Sequence, residues 1–175
     1  MSRECRRVSA NWQHPKDSSG RYIPLHDRDF EAELVEWLEE KGQWARGLRQ
    51  IYAPVGWIPR KPEDGESYEK WNGECPCQDD YMPNWPDDIR THYQMYETTS
   101  EGTPISPVMA SPEELAHWLA DNGASAFAGM TATYEQWLRT IVGSGSIGSC
   151  VKTENKIISG VETVLGAQVE QGRKG

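Results

Sequence analysis

Cys75-Pro76-Cys77 is the first place in this chain where chemistry could sit. Two thiols one residue apart suggest a metal, but structural zinc takes four ligands, commonly from Cys-x2–4-Cys pairs that close a tetrahedron. The other half would have to come from Cys5, Cys150 or one of four scattered histidines, and none of these stands at ligand spacing. Cys75 and Cys77 therefore remain bare metal candidates. Free thiols in a reducing cytoplasm are the expectation, with no cofactor.

A second motif is Gly143-Ser144-Gly145-Ser146-Ile147-Gly148, which matches the dinucleotide-binding glycine pattern letter for letter. That pattern works when the glycines follow a strand and open a helix, so that a pyrophosphate meets the helix N-terminus. Here they follow an expected helix and lead into a β-like run, and no acidic residue stands about 20 positions on to hold a ribose. The run reads as a connection.

The richest stretch is residues 92–107. It places His92, Tyr93, Tyr96, Glu97, Thr98, Thr99, Ser100 and Ser106 among the rigid turns of Gly102, Pro104 and Pro107. Aromatic rings with adaptable hydroxyls suit a binding surface held on a scaffold. His92 and Glu97 are candidate acid–base groups if the site is enzymatic. The alternative is that Tyr93 and Tyr96 are core residues and the rest a connection. Enzymatic activity is left open, and no residue is assigned as catalytic.

The elements that would position these residues read as helices. Asp29 is a plausible N-cap for a stripe of Phe30, Leu34, Trp37, Leu38, Trp44, Leu48 and Ile51 at steps of three, four and seven, with a possible break near Gly42. Residues 53–86 hold six prolines and three tryptophans, an ordered irregular segment wrapped over the helices. Pro86-Asp87-Asp88 opens a short helix with Ile89, Tyr93 and Tyr96 on one face. Ser111-Pro112-Glu113-Glu114 is a capping box with proline at the first helical position, stopped at Asn122-Gly123. Thr133 begins a last helix, and Cys150–Lys152 with residues 156–158 suits a small hairpin. The expected fold is mainly α, with α+β open: an extended arm over residues 1–28, one Trp-rich globular domain over 29–165, and a flexible tail over 166–175.

Eight Trp and seven Tyr favour a folded core although only 37% of residues are hydrophobic. No signal peptide and no run of about 20 apolar residues is evident, so neither export nor membrane insertion is expected. The net charge is −9. Its basic excess lies at the two ends, about +3 over residues 1–28 and +2 over 139–175, and its acid lies between. That balance makes direct nucleic-acid binding an unlikely expectation and suits a basic protein partner, or solubility alone. Glu63, Asp64, Glu66, Glu69, Asp79 and Asp80 form the candidate acidic surface.

Trp12-x-x-Pro15, Gly20-Arg21-Tyr22-Ile23-Pro24-Leu25 and Tyr81-Met82-Pro83-x-Trp85-Pro86 resemble a family of small tailed-bacteriophage and prophage proteins. So do residues 90–107, Pro112-Glu113-Glu114-Leu115-Ala116-x-Trp118-Leu119-Ala120-Asp121 and Ala124-Ser125-Ala126-Phe127. The resemblance spans roughly residues 8–165 and implies a phage setting, with no site residues to carry over. The expected function is a phage accessory protein in the host cytoplasm that binds a host protein non-catalytically, an inhibitor of antiphage defence such as CRISPR being one instance. A small-ligand or enzymatic domain centred on residues 93–106 and a virion or assembly component are the alternatives.

Overall fold

The computed structural model describes residues 3–52, 55–98, 102–126, 129–143, 146–147, 150–152 and 157–159. It is about 35% helix and 22% strand, with antiparallel sheets. The mainly helical expectation is therefore wrong, and the fold is mixed α and β. The chain divides into two compact units, residues 1–25 with 84–175, and His26–Pro83.

The first unit is built on a four-stranded antiparallel sheet ordered β5-β4-β1-β6. Its strands are β1 (Arg3–Val8), β4 (His92–Glu97), β5 (Thr103–Pro104) and β6 (Ser146–Ile147). Residues 3–8, expected in an extended arm, thus form an inner strand paired with β4 from Arg3↔Glu97 to Val8↔His92. The helix expected from Pro86 is only a turn, and Tyr93 and Tyr96 lie on β4. Two tyrosines three apart imitate a helical face. Along a strand they point to opposite sides, and both sides of this one are covered, so no polar alternation marks it.

On one side of the sheet, Met95 packs with Leu115, Leu119, Trp137 and Ile141. These come from helices α3 (Pro112–Asp121) and α4 (Tyr134–Gly143). The Ser111 hydroxyl accepts the Glu114 N–H, while Glu114 reaches back to the Ala110 N–H, one residue before the expected partner. Thr133 and Gln136 form a reciprocal cap on α4. His117 stacks on Tyr134 at 4.0 Å, tying the two helices together outside the core. A short ribbon, β7 (Cys150–Lys152) with β8 (Ile157–Ser159), forms where a hairpin was expected.

On the opposite side of the sheet, residues 9–25 cover Tyr96, Gln94 and Arg6. The close approach is made at Gly102, whose φ of +63° admits a backbone contact in which a β-carbon would lie 2.2 Å from the Leu25 carbonyl oxygen.

The second unit starts with α1 (Phe30–Ala45), capped by the Asp29 carboxylate on the Glu31 and Ala32 N–H groups. The helix runs through Gly42 and ends at Ala45, where Gly47 at φ +83° turns the chain. The stripe was expected to continue through Leu48 and Ile51, but these lie on β2 (Leu48–Tyr52), which pairs with β3 (Val55–Pro59) in an antiparallel ribbon. The Pro-rich stretch that follows holds a five-residue helix, α2 (Tyr68–Asn72), with the Ser67 hydroxyl accepting the Lys70 N–H. Trp37, Trp44 and Tyr68 form the small core of this unit.

Candidate binding cavity

The apolar stripe of α1 contains one misfit. Glu40 lies three residues after Trp37 and four before Trp44, so helical geometry puts it on their face. It is 8% exposed. Its Oε2 accepts from the Tyr68 hydroxyl and from Asn72 Nδ2 at 3.0 Å, both neutral donors from α2. Burial, and then the bond to Glu40, hold the Tyr68 phenol well above its ordinary pKa, so it remains a donor. Among the described residues no cation pairs with Glu40. Buried charges are normally paired, because desolvating an isolated carboxylate is costly.

This carboxylate borders a cavity of about 240 Å³ between α1, the β2–β3 ribbon and α2. Trp44, Tyr52, Trp57, Tyr68 and Trp71 supply aromatic walls. Gln50 and Trp57 are cross-strand partners and Tyr52 lies two residues on from Gln50, so strand geometry puts all three side chains on one face of the ribbon. The cavity is open: Tyr52, Trp57 and Trp71 remain 69%, 37% and 44% exposed. Three polar atoms in its lining are buried without a hydrogen bond, the Gln50 Oε1 acceptor and the Trp44 Nε1 and Arg49 Nε donors. Unsatisfied buried groups cost about 1–3 kcal/mol each, and beside open space they can be met by water or by a polar ligand.

The chain's own cations show what these rings accept. The Arg60 guanidinium lies 4.4 Å from the Trp44 ring centre, Arg49 lies 5.5 Å from Trp71, and Lys41 Nζ lies 4.6 Å from Trp37. Arg49 is also committed elsewhere. Its Nε is 3.0 Å from Asp64 Oδ2, an ion pair whose N–H is not aimed along the contact. Asp64 additionally accepts the Lys61 N–H, which closes the turn after β3.

The residues singled out from sequence fall elsewhere. His92 and Glu97 sit at opposite ends of β4, about 16 Å apart along an extended strand and on opposite faces, so they are not brought together. Tyr93 is half-buried towards the helices. Tyr96 is wholly buried, with its hydroxyl accepting from Trp12 Nε1 at 3.0 Å and donating to Gln94 Oε1 at 2.8 Å. Buried Ser106 accepts the Met95 N–H and donates to the Pro107 carbonyl. Thr98 is half-buried at the strand end, while Thr99 and Ser100 lie outside the described residues.

Of the acidic set, Glu63, Glu66, Asp79 and Asp80 are exposed and Glu69 holds Lys41 at 2.5 Å. Asp64 is buried and belongs to the interior. Cys75 and Cys77 are exposed, and among the described residues no three His, Cys, Asp or Glu side chains converge as a metal site requires. Nor is any helix among them long and apolar enough to cross a membrane.

No family model matches the chain, and neither a curated protein nor a solved structure matches it.

Proposed function

We propose that this is a non-catalytic binding protein that captures a protein partner through residues 26–83. The observation that carries this reading is the coincidence of charge and exposed aromatic surface in one unit. Residues 26–83 contain fourteen Asp and Glu against seven Lys and Arg, so they hold seven of the chain's nine net negative charges. The same unit exposes Tyr52, Val55, Trp57 and Trp71. Aromatic anchors ringed by charge are the usual composition of a recognition surface, the rings supplying affinity and the charge supplying steering and specificity.

The partner that fits is basic. The resemblance to small phage proteins supports placing it in the cytoplasm of a bacterial host, and an antiphage effector such as a CRISPR complex is the instance to test. The protein is expressed in cells carrying an active CRISPR system and challenged with a targeted phage. The expected result is restored plaque formation together with co-purification of an effector subunit, both reduced by Glu63→Lys with Glu66→Lys. A wild-type protein that neither protects the phage nor retains an effector subunit overturns the reading.

A further inference from the structure

The cavity in residues 26–83 has a chemistry more specific than that of an acidic surface. Its walls are aromatic faces, its buried ionisable lining group without an ionic partner is Glu40, and its unpaired acceptor is Gln50 Oε1. Both donors to Glu40 reach Oε2, which leaves Oε1 without a donor among the described residues. Arg49 also lines the cavity, but its charge is matched by Asp64, so the lining charge without an ionic partner is that of Glu40. An occupant that completes the site carries positive charge, presents N–H donors to two oxygens, and stacks on indole and phenol rings.

We infer that the cavity takes an arginine side chain from a basic partner. A guanidinium is planar and weakly hydrated, and it stacks on aromatic faces while its edge donates to carboxylate and amide oxygens. A lysine ammonium is strongly hydrated and lacks the planar fork. A trimethylated ammonium would satisfy the rings but leave Gln50 Oε1 unpaired, because it carries no donor. A neutral sugar would stack on the tryptophans but leave the Glu40 charge uncompensated. The Trp44 Nε1 donor wants an acceptor that a guanidinium lacks, and the peptide carrying it brings carbonyl groups. Arg60 against Trp44 and Arg49 against Trp71 show the same pairing already used within the unit.

This inference rests on reading residues 26–83 as the binding unit and gives that unit its ligand. The test titrates the full chain with acetyl-Gly-Arg-Gly-amide and with its lysine and citrulline counterparts, followed by tryptophan fluorescence and calorimetry. Citrulline keeps the shape of arginine and removes its charge. The expected order is arginine first, lysine weaker, and citrulline weaker than arginine by at least about tenfold. Glu40→Gln should weaken the arginine peptide by a similar factor, and Trp57→Ala, at a partly exposed wall, should weaken it without depending on the refolding of a buried site. Equal binding of arginine and citrulline, no saturable response to arginine, or a response to a neutral disaccharide alone overturns the inference. The two readings also fail separately. If effector capture survives Glu40→Gln and Trp57→Ala but is lost on charge reversal at Glu63 and Glu66, the arginine cavity is wrong and the binding unit stands. If the arginine peptide binds with the expected order while phage protection is absent, the cavity stands and the antiphage role falls.

Discussion

Arg6, His14 and Glu40 are all ionisable groups buried among aromatic rings, yet their surroundings differ. On the polar side of the four-stranded sheet, Arg6 lies 4.3 Å from the Tyr96 ring centre and donates to the Leu25 carbonyl at 2.9 Å. His14 Nε2 lies 2.6 Å from the Ile23 carbonyl, so this nitrogen carries the proton, and Nδ1 is 3.2 Å from the Tyr96 hydroxyl. Gln94 continues the chain to the Ser106 carbonyl. That network is tied to backbone and neighbouring side chains, with Gln94 Oε1 and His14 Nδ1 as alternative acceptors for the one Tyr96 O–H, and its work is to fix residues 9–25 to the sheet. In residues 26–83, Glu40 faces neutral donors on one oxygen and a cavity whose lining leaves Gln50 Oε1, Trp44 Nε1 and Arg49 Nε without a hydrogen bond. An orphan donor alone does not make a site, since Trp137 Nε1 is equally unpaired in the helical core. Adjoining open space separates the two cases. A closed polar network is architecture, whereas an incomplete one beside a cavity is a place for a ligand.

The contrast is broken most severely at Gly102. Gly102→Ala puts a β-carbon into the Leu25 carbonyl at positive φ, and the expected loss is about 3 kcal/mol or more in chemical denaturation. Tyr96→Phe removes one hydroxyl from the closed network and leaves buried polar partners unmatched. It should cost about 1–3 kcal/mol by the same measurement while arginine-peptide affinity is unchanged.

His14 supplies a pH signature for the closed side. Burial lowers its pKa, against a smaller upward pull from the bond to Ile23 and with a weaker downward push still from the Arg6 charge. Between that lowered value and the ordinary value of about 6.5, the unfolded chain takes up a proton that the folded chain refuses. Stability therefore falls as pH drops below about 6.5, and urea titrations across that range should lose part of their slope with pH in His14→Gln. Glu40→Gln should behave in the opposite sense to Tyr96→Phe, with stability held within about 1 kcal/mol because an amide oxygen still accepts from Tyr68 and Asn72, and peptide affinity lost. Trp57→Ala should change stability least, by about 1 kcal/mol or less, since the ring is partly exposed.

Local signals were legible wherever one residue closes a hydrogen bond to a near neighbour. Asp29, Ser111 and Thr133 cap helices as their types and positions imply, and the ribbon at Cys150 follows its β-like runs. Strand β1 was not legible, because Arg-Glu-Cys-Arg-Arg reads as solvated charge. It is nevertheless buried, with Ser125 and Glu97 among the partners of Arg3, and Glu4, the Leu25 carbonyl and the Tyr96 ring among those of Arg6. The cavity was missed for a similar reason. Glu40 looked like one more acid in a run from Asp29, and its neutral donors lie 28 and 32 residues away. One trace was available: a glutamate in the apolar stripe between Trp37 and Trp44 breaks the helix pattern where function resides.

The inner position of β1 also sets an order of assembly. Its register partners on β4 begin at residue 92, more than 80 positions downstream, and those on β6 at residue 146. A ribosome delivers β1 well before these neighbours, so this strand waits unpaired at least until residues 92–97 have followed, carrying three arginines that deter premature edge pairing. Residues 26–83 are contiguous and emerge whole during that wait. Closing β1 onto β4 therefore spans a long loop, a contact of high sequence separation of the kind that slows folding.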